Sequence, residues 1–316
     1  NMKIDENYTW YKLLSTKGIG PKTIHKIYDS FKKNNKEPLN FDEGFVENNL
    51  SNQKHLSNWK DIKDELCFKE YEGVLKKNIN ILTLSSKNYP KTLLDNLGND
   101  SPPVIFCGGK IELFKSKGIA IVGSRNVCES GIEYTKSITK NLSNEGFNII
   151  SGYAKGVDSL SHLSSLENDG TTTFVLSHGI TSFKRKKEFE DKKWTGHILA
   201  VSEFLPNDDW SPSRAMMRNK TIIGLSKAVI VIQSGPERDE KGNMSGTFNS
   251  GQLAMKYNIP VFVVKPSIVD DAKGNNDLIK LGGIEIDNEN AIDIIKKELS
   301  NPKTANDNEQ KGFEFN

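Results

Sequence analysis

The sequence predicts an α/β fold: a doubly wound, Rossmann-like and mostly parallel sheet, preceded by a small all-helical domain. From Gly118 onward, short and nearly continuous apolar runs recur with helical stretches between them: "IAIVGS", "FNIISG", "TFVLSHG", "HILAVSE", "KAVIVIQS" and "IPVFVV". That is the texture of parallel strands covered by helices on both faces. Before them, "IHKIYDSF" sets Ile24, Ile27, Tyr28 and Phe31 at i, i+3, i+4 and i+7, one apolar face of a helix. A chain of 316 residues also exceeds the usual size of one domain.

In chain order, residues 1–77 are expected to form the helical domain, with a helix-hairpin-helix-like turn in "KGIGPKT". Residues 78–117 carry short apolar runs broken by Pro90, Pro102 and Pro103, and read as a connecting lead-in with a strand or two. Residues 118–299 make the extended Rossmann-like domain. The polar, aperiodic stretch 300–316 reads as a disordered tail.

Composition narrows the function classes. Hydrophobic residues at 35% and charged residues at 27% fit a soluble globular chain. With 43 basic and 41 acidic residues the formal charge is only +2, so binding to a polyanion must come from local clustering. Cys67, Cys107 and Cys128 are odd in number and scattered, which argues against a disulfide framework and a zinc site and for a reducing cytoplasm. Neither an apolar signal core nor a stretch near 20 apolar residues is present, so no membrane association is expected. No cofactor or metal is expected either.

Ligands in doubly wound sheets bind beyond the carboxyl ends of the strands, and the turns there carry the chemistry. The first, Gly123-Ser124-Arg125, departs from G-x-G-x-x-G by placing a fixed positive charge where bare backbone would meet a pyrophosphate. The second sets Gly152 and Gly156 around Lys155. Asp158 is expected to bind first-turn amides of the helix that follows and His162 to lie on that helix's surface, so neither receives a catalytic role. Arg214, Arg218 and Lys220, with Asn219, stand near the start of an apolar helix, where cations oppose the macrodipole and an anion would relieve the cost. Ser245, Gly246 and Thr247 would offer donors at another helix start. Arg125, Lys155 and Arg218 are therefore expected on one sheet edge, as a pocket for successive phosphates. In "KGIGPKT", Lys17, Gly18, Gly20 and Lys22 form either a secondary DNA contact or a plain helix-helix turn.

Taken together, "IAIVGSRN", "SGYAKGVDSLSH", "SEFLP", "SRAMMRNKTIIGLSKAVIVIQS", "SGTFNSGQLA" and "GNNDLIKLGG" resemble the DprA/Smf family of DNA-processing proteins, over roughly residues 80 to 290. The resemblance implies a non-enzymatic protein that binds and protects single-stranded DNA and assists loading of a RecA-type recombinase in transformation or recombination, generally as a homodimer through the Rossmann-like domain. It carries strand binding onto Arg125, Lys155, Arg218 and Asn219. The chain departs from the family in "SHGITSFKRKKEFED", which brings the basic run Lys184 to Lys187 in place of a Y-P element, and in the longer loop "GPERDEKGNM". An alternative is a nucleotide-sensing Rossmann-like protein of an antiviral defence system. A phosphoribohydrolase is disfavoured because Ser250 stands where the catalytic glutamate would be.

Overall fold

Asp5 accepts the amide hydrogen of Tyr8 at 2.9 Å, capping α1 (Glu6–Ser15). Pro21 opens α2 (Pro21–Asn34), and Asp42 and Asn52 cap α3 (Glu43–Asn49) and α4 (Gln53–Lys60). With α5 (Asp64–Lys76) these complete the expected helical region. The computed structural model describes residues 5–34 and 41–301; the tail expected at 300–316 lies outside them from residue 302 on. Ile24 and Ile27 are buried, while Tyr28 and Phe31 pack on Phe41 with ring centroids 5.8 and 5.3 Å away. Buried Lys12 is held by Glu43 and Asp64, each at 2.7 Å, tying α1 to α3 and α5.

Beyond α5 the lead-in gives β1 (Asn80–Thr83), α6 (Lys91–Leu97) and β2 (Val104–Gly109). The strand-helix alternation then runs β3 (Gly118–Val122), α7 (Glu129–Asn144), β4 (Asn148–Ser151), α8 (Val157–Glu167), β5 (Thr171–Val175), β6 (Ile198–Ser202), α9 (Pro212–Gly224), β7 (Ala228–Val231), α10 (Gly246–Lys256), β8 (Val261–Val264), α11 (Lys273–Lys280), β9 (Ile284–Ile286) and α12 (Ala291–Ser300). Among the described residues all strands join one nine-stranded sheet in the order β1-β2-β6-β5-β4-β3-β7-β8-β9. From β6 to β9 neighbouring strands are parallel, and β1 and β2 extend that sheet as an antiparallel edge. The lead-in is thus part of the sheet.

The crossovers to β4, β5, β7, β8 and β9 carry α7, α8, α9, α10 and α11, but residues 176–197 connect β5 to β6 without an α-helix. This strap leaves part of one sheet face uncovered by its own crossover, and the amino-terminal helices fill the place. A single apolar cluster joins Tyr8, Trp10, Tyr11, Phe41 and Trp59 to Val104, Phe106, Phe174, Phe189 and Ile198. Tyr11 meets Phe106 edge-on at 6.1 Å, and His25 Nε2 lies 2.8 Å from the Ser101 carbonyl oxygen. The helical region is therefore continuous in packing with the sheet.

Candidate functional site

A dinucleotide fold would place its ligand in the crevice between β3 and β7, where strand order reverses. Here buried Gln233 takes that place. Its carbonyl accepts the Ser124 amide at 2.9 Å, and its side-chain oxygen accepts the Cys128 amide at 3.0 Å, at the α7 N-cap. The departure from G-x-G-x-x-G thus goes with a crevice already occupied by protein.

The open cavity lies beside it, over the carboxyl ends of β4 and β5, with a volume of about 420 Å³. Arg125 enters from the β3 turn, Lys155 from the β4 turn, and Lys184 and Lys186 from the strap; Arg218 comes up from α9. No Asp or Glu lines it, and Arg125, Lys155 and Lys184 make no ion pair among the described residues. Trp210, 51% exposed, stands at the rim as an aromatic face of the kind on which bases stack.

Three glycines allow this crowding. Gly156 has φ +83°, and a Cβ there would lie 2.2 Å from the Ser124 carbonyl oxygen, so the turn carrying Lys155 interlocks with the turn carrying Arg125. Gly123 sits beneath, against Val157. At Gly152 a Cβ would lie 2.4 Å from Arg218 Nη1 and 2.6 Å from Asp158 Oδ2. That residue is clamped from both sides: its amide donates to Asp158 at 3.2 Å, and its carbonyl accepts from Arg218, which also donates to the Val175 carbonyl at 2.7 Å. Tyr153 follows in the left-handed region at φ +57°. Its carbonyl accepts from Lys186 Nζ at 2.7 Å and its hydroxyl accepts the Lys186 amide at 2.8 Å. A non-glycine residue at such a φ persists only when its surroundings over-determine it, and this one is held at both ends.

These contacts correct several expectations. Arg218 is 4% exposed, so it is a floor group of the cavity rather than an outstretched fork; Nη1 makes both of its carbonyl hydrogen bonds, and its buried Nε has no partner. Burial lowers its pKa and raises that of Asp158, while each charge opposes the shift of the other. Asp158 binds the loop amides of Gly152 and Ala154, not those of the first helical turn. His162 is fully buried rather than on the surface, because α8 packs on α7 as well as on the sheet. Thr172 gives its hydroxyl hydrogen to the Ile149 carbonyl, so the 2.6 Å contact makes His162 Nδ1 the donor, and burial, which lowers the pKa of the ring well below the ordinary value, favours its neutral form. Burial also lowers the Lys186 pKa.

A family model described as DNA recombination-mediator protein A matches residues 80–297. The chain belongs to this family. Among relatives of this mediator family, DNA processing protein DprA of Bacillus subtilis (strain 168) is 33% identical over 202 residues, covering 63% of this chain and 65% of that protein. DprA of Streptococcus pneumoniae (strain ATCC BAA-255 / R6) is 31% identical over 186 residues, 58% and 63% respectively. The chain thus spans slightly less than two thirds of the length of these DprA proteins. The X-ray structure of Streptococcus pneumoniae DprA has a TM-score of 0.75 at 26% identity, covering 92% of this chain and 98% of that one. A structure of DNA processing protein A from Helicobacter pylori, concerned with its single-stranded DNA binding mode, has a TM-score of 0.56 at 27% identity over 70% and 96% of the two chains.

In this family member the other motif residues lie apart from the basic cavity. Arg214 pairs with Asp208 at 3.2 Å, Asn219 donates to the Gly246 carbonyl at 3.2 Å, and Lys220 lines a cleft with Glu203 and Met217. Ser245 caps α10 through the Phe248 amide, and Thr247 is half-buried in its first turn. Buried Ser250 donates to the Gly246 carbonyl at 3.0 Å inside α10, so that position offers no carboxyl group for proton transfer. In the α1–α2 turn, Gly18 has φ +85°, the Lys17 carbonyl accepts from Asn58, and Lys22, next to Gly20 and Pro21, stands 3.7 Å from Asp100. Tyr153, His178 and Trp210 line the basic cavity without having been picked out in the sequence. Among the described residues no cluster of His, Cys, Asp or Glu could hold a metal ion, and no helix is long and apolar enough to cross a membrane.

Proposed function

We propose that this chain binds single-stranded DNA in the basic cavity over β4 and β5, without base specificity and without cleaving it. Arg125, Lys155 and Lys184 would neutralise successive phosphates, Trp210 would stack on a base, and Arg218 would hold the floor rather than reach for the strand. The observation that carries the reading is the composition of the cavity wall, which gathers five cations and no carboxylate in a protein of net charge only +2. Strand protection, delivery to a RecA-type recombinase and dimerisation through the sheet domain belong to the same proposal, supported by family membership.

The cavity also has room for one nucleotide, which keeps the sensor reading in view. Fluorescence anisotropy with single-stranded, double-stranded and mononucleotide ligands over a salt series separates the two. Strand binding predicts a log-log salt slope of about −0.7 per phosphate contacted and tighter binding with length. Saturation by a mononucleotide with weaker binding of strands would replace it with the sensor.

A further inference from the structure

The strap between β5 and β6 has two different sides. It leaves a 3-10 turn at Ser182, its backbone is extended at Phe183 and at Lys186, and its residues alternate: Ser182, Lys184 and Lys186 line the basic cavity. Phe183 lines a second cleft, with a volume of about 780 Å³, and Arg185 lies 4.1 Å over the Trp194 ring, which borders the same cleft. Period-two alternation in extended chain accounts for the split. Phe183 and Trp194 rings stand 5.8 Å apart in an edge arrangement, forming an aromatic wall. Lys77 and Lys110 stand at the rim with Glu112 as the lining carboxylate, and Lys77, Lys110 and Arg185 make no ion pair among the described residues.

We infer that this cleft takes a base of the same single strand whose phosphates occupy the basic cavity; the inference rests on the strand-binding reading. The two hollows share one extended segment as their partition, so a chain crossing it at Lys184 passes directly from one to the other. An aromatic wall under unpaired cations is the surface on which single-stranded nucleic acids are held, stacking for the bases and charge for the backbone. The cleft therefore lengthens the footprint by a nucleotide or more without adding sequence preference.

The test compares labelled oligothymidylates of about 4 and about 12 nucleotides, which bracket one binding site, on wild type, Arg185→Ala and Phe183→Ala. Both variants are expected to weaken the longer strand on the order of tenfold and to leave the shorter one unchanged. In wild type, one abasic position in the longer strand should reproduce the loss, and the same abasic strand should lose nothing further on Phe183→Ala. Should Phe183→Ala fail to fold, exposed Arg185 and the abasic scan decide the matter. Equal losses for both lengths, no loss at all, or indifference to every abasic position would overturn the cleft while leaving strand binding intact. Failure of wild type to bind either strand would overturn both.

Discussion

Arg125 and Arg218 border the same cavity, yet the structure gives them opposite jobs, and substitution separates them. In Arg218→Met the side-chain volume is roughly kept and the charge removed. The Gly152 and Val175 carbonyls lose their donor, and Asp158 loses its opposing charge in a buried site. Breaking such a buried arrangement costs about 3–5 kcal/mol. With an unfolding entropy of about 2.1 cal/mol/K per residue, 316 residues give about 0.66 kcal/mol/K, so Tm should fall by about 5–8 °C. Arg125 is exposed, and Arg125→Ala should change stability by less than about 0.5 kcal/mol, under 1 °C, while lowering affinity and flattening the salt slope by about 0.7. Calorimetry at neutral pH and anisotropy at 20 °C read the two effects separately. If Arg218→Met melts like wild type but loses DNA as completely as Arg125→Ala, the guanidinium is a direct ligand and the clamp reasoning is wrong.

Three further outcomes follow from the same packing. Burial holds the His162 pKa well below the ordinary 6.5, so the fold binds fewer protons than the unfolded chain in acid; its contribution is present above 6.5 and is lost as pH falls below it, by up to about 1.4 kcal/mol per unit. Urea midpoints at about pH 7.5 and 5.5 should converge in His162→Gln, and an unchanged acid slope would exclude His162 as its source. Gly156→Ala forces a left-handed φ on alanine and drives its Cβ into the Ser124 carbonyl, so it should cost more than about 1 kcal/mol and weaken strand binding together, read by thermal melts and anisotropy. A chain starting at Asn78 exposes Phe106 and Val104, each worth about 1.5–3 kcal/mol when buried, and should bind ANS and aggregate in size-exclusion runs; a soluble, ANS-silent fragment would contradict the shared core.

The sheet was legible because buried parallel strands are written in apolar runs: Ile119–Val122 and Val229–Ile232 could be little else. β9 carries no such signature, since Ile284–Ile286 is a three-residue edge strand interrupted by exposed Glu285. The gathering of Arg125 and Lys155 followed from turn position alone, whereas the burial of Arg218 depends on carbonyls at residues 152 and 175, beyond any local pattern. The burial of His162 is hidden for a related reason. Its helix is rich in serine, which looks solvated, but Ser161, Ser164 and Ser165 are buried against neighbouring elements. Nor does a polar strap announce that a crossover lacks its helix, or that an earlier part of the chain will supply the cover.

That borrowed cover sets an order on synthesis. An amino-terminal unit ordinarily folds as it leaves the ribosome, at roughly 5–20 residues per second. Here the apolar cluster that holds Tyr11 and Trp10 extends to Ile198, about 120 residues after α5 ends, so the first helices wait roughly 6–24 s for the last of the surface that completes that cluster. During that interval their aromatic side chains are the nascent chain's most exposed liability, and the part of this protein with most to gain from a chaperone.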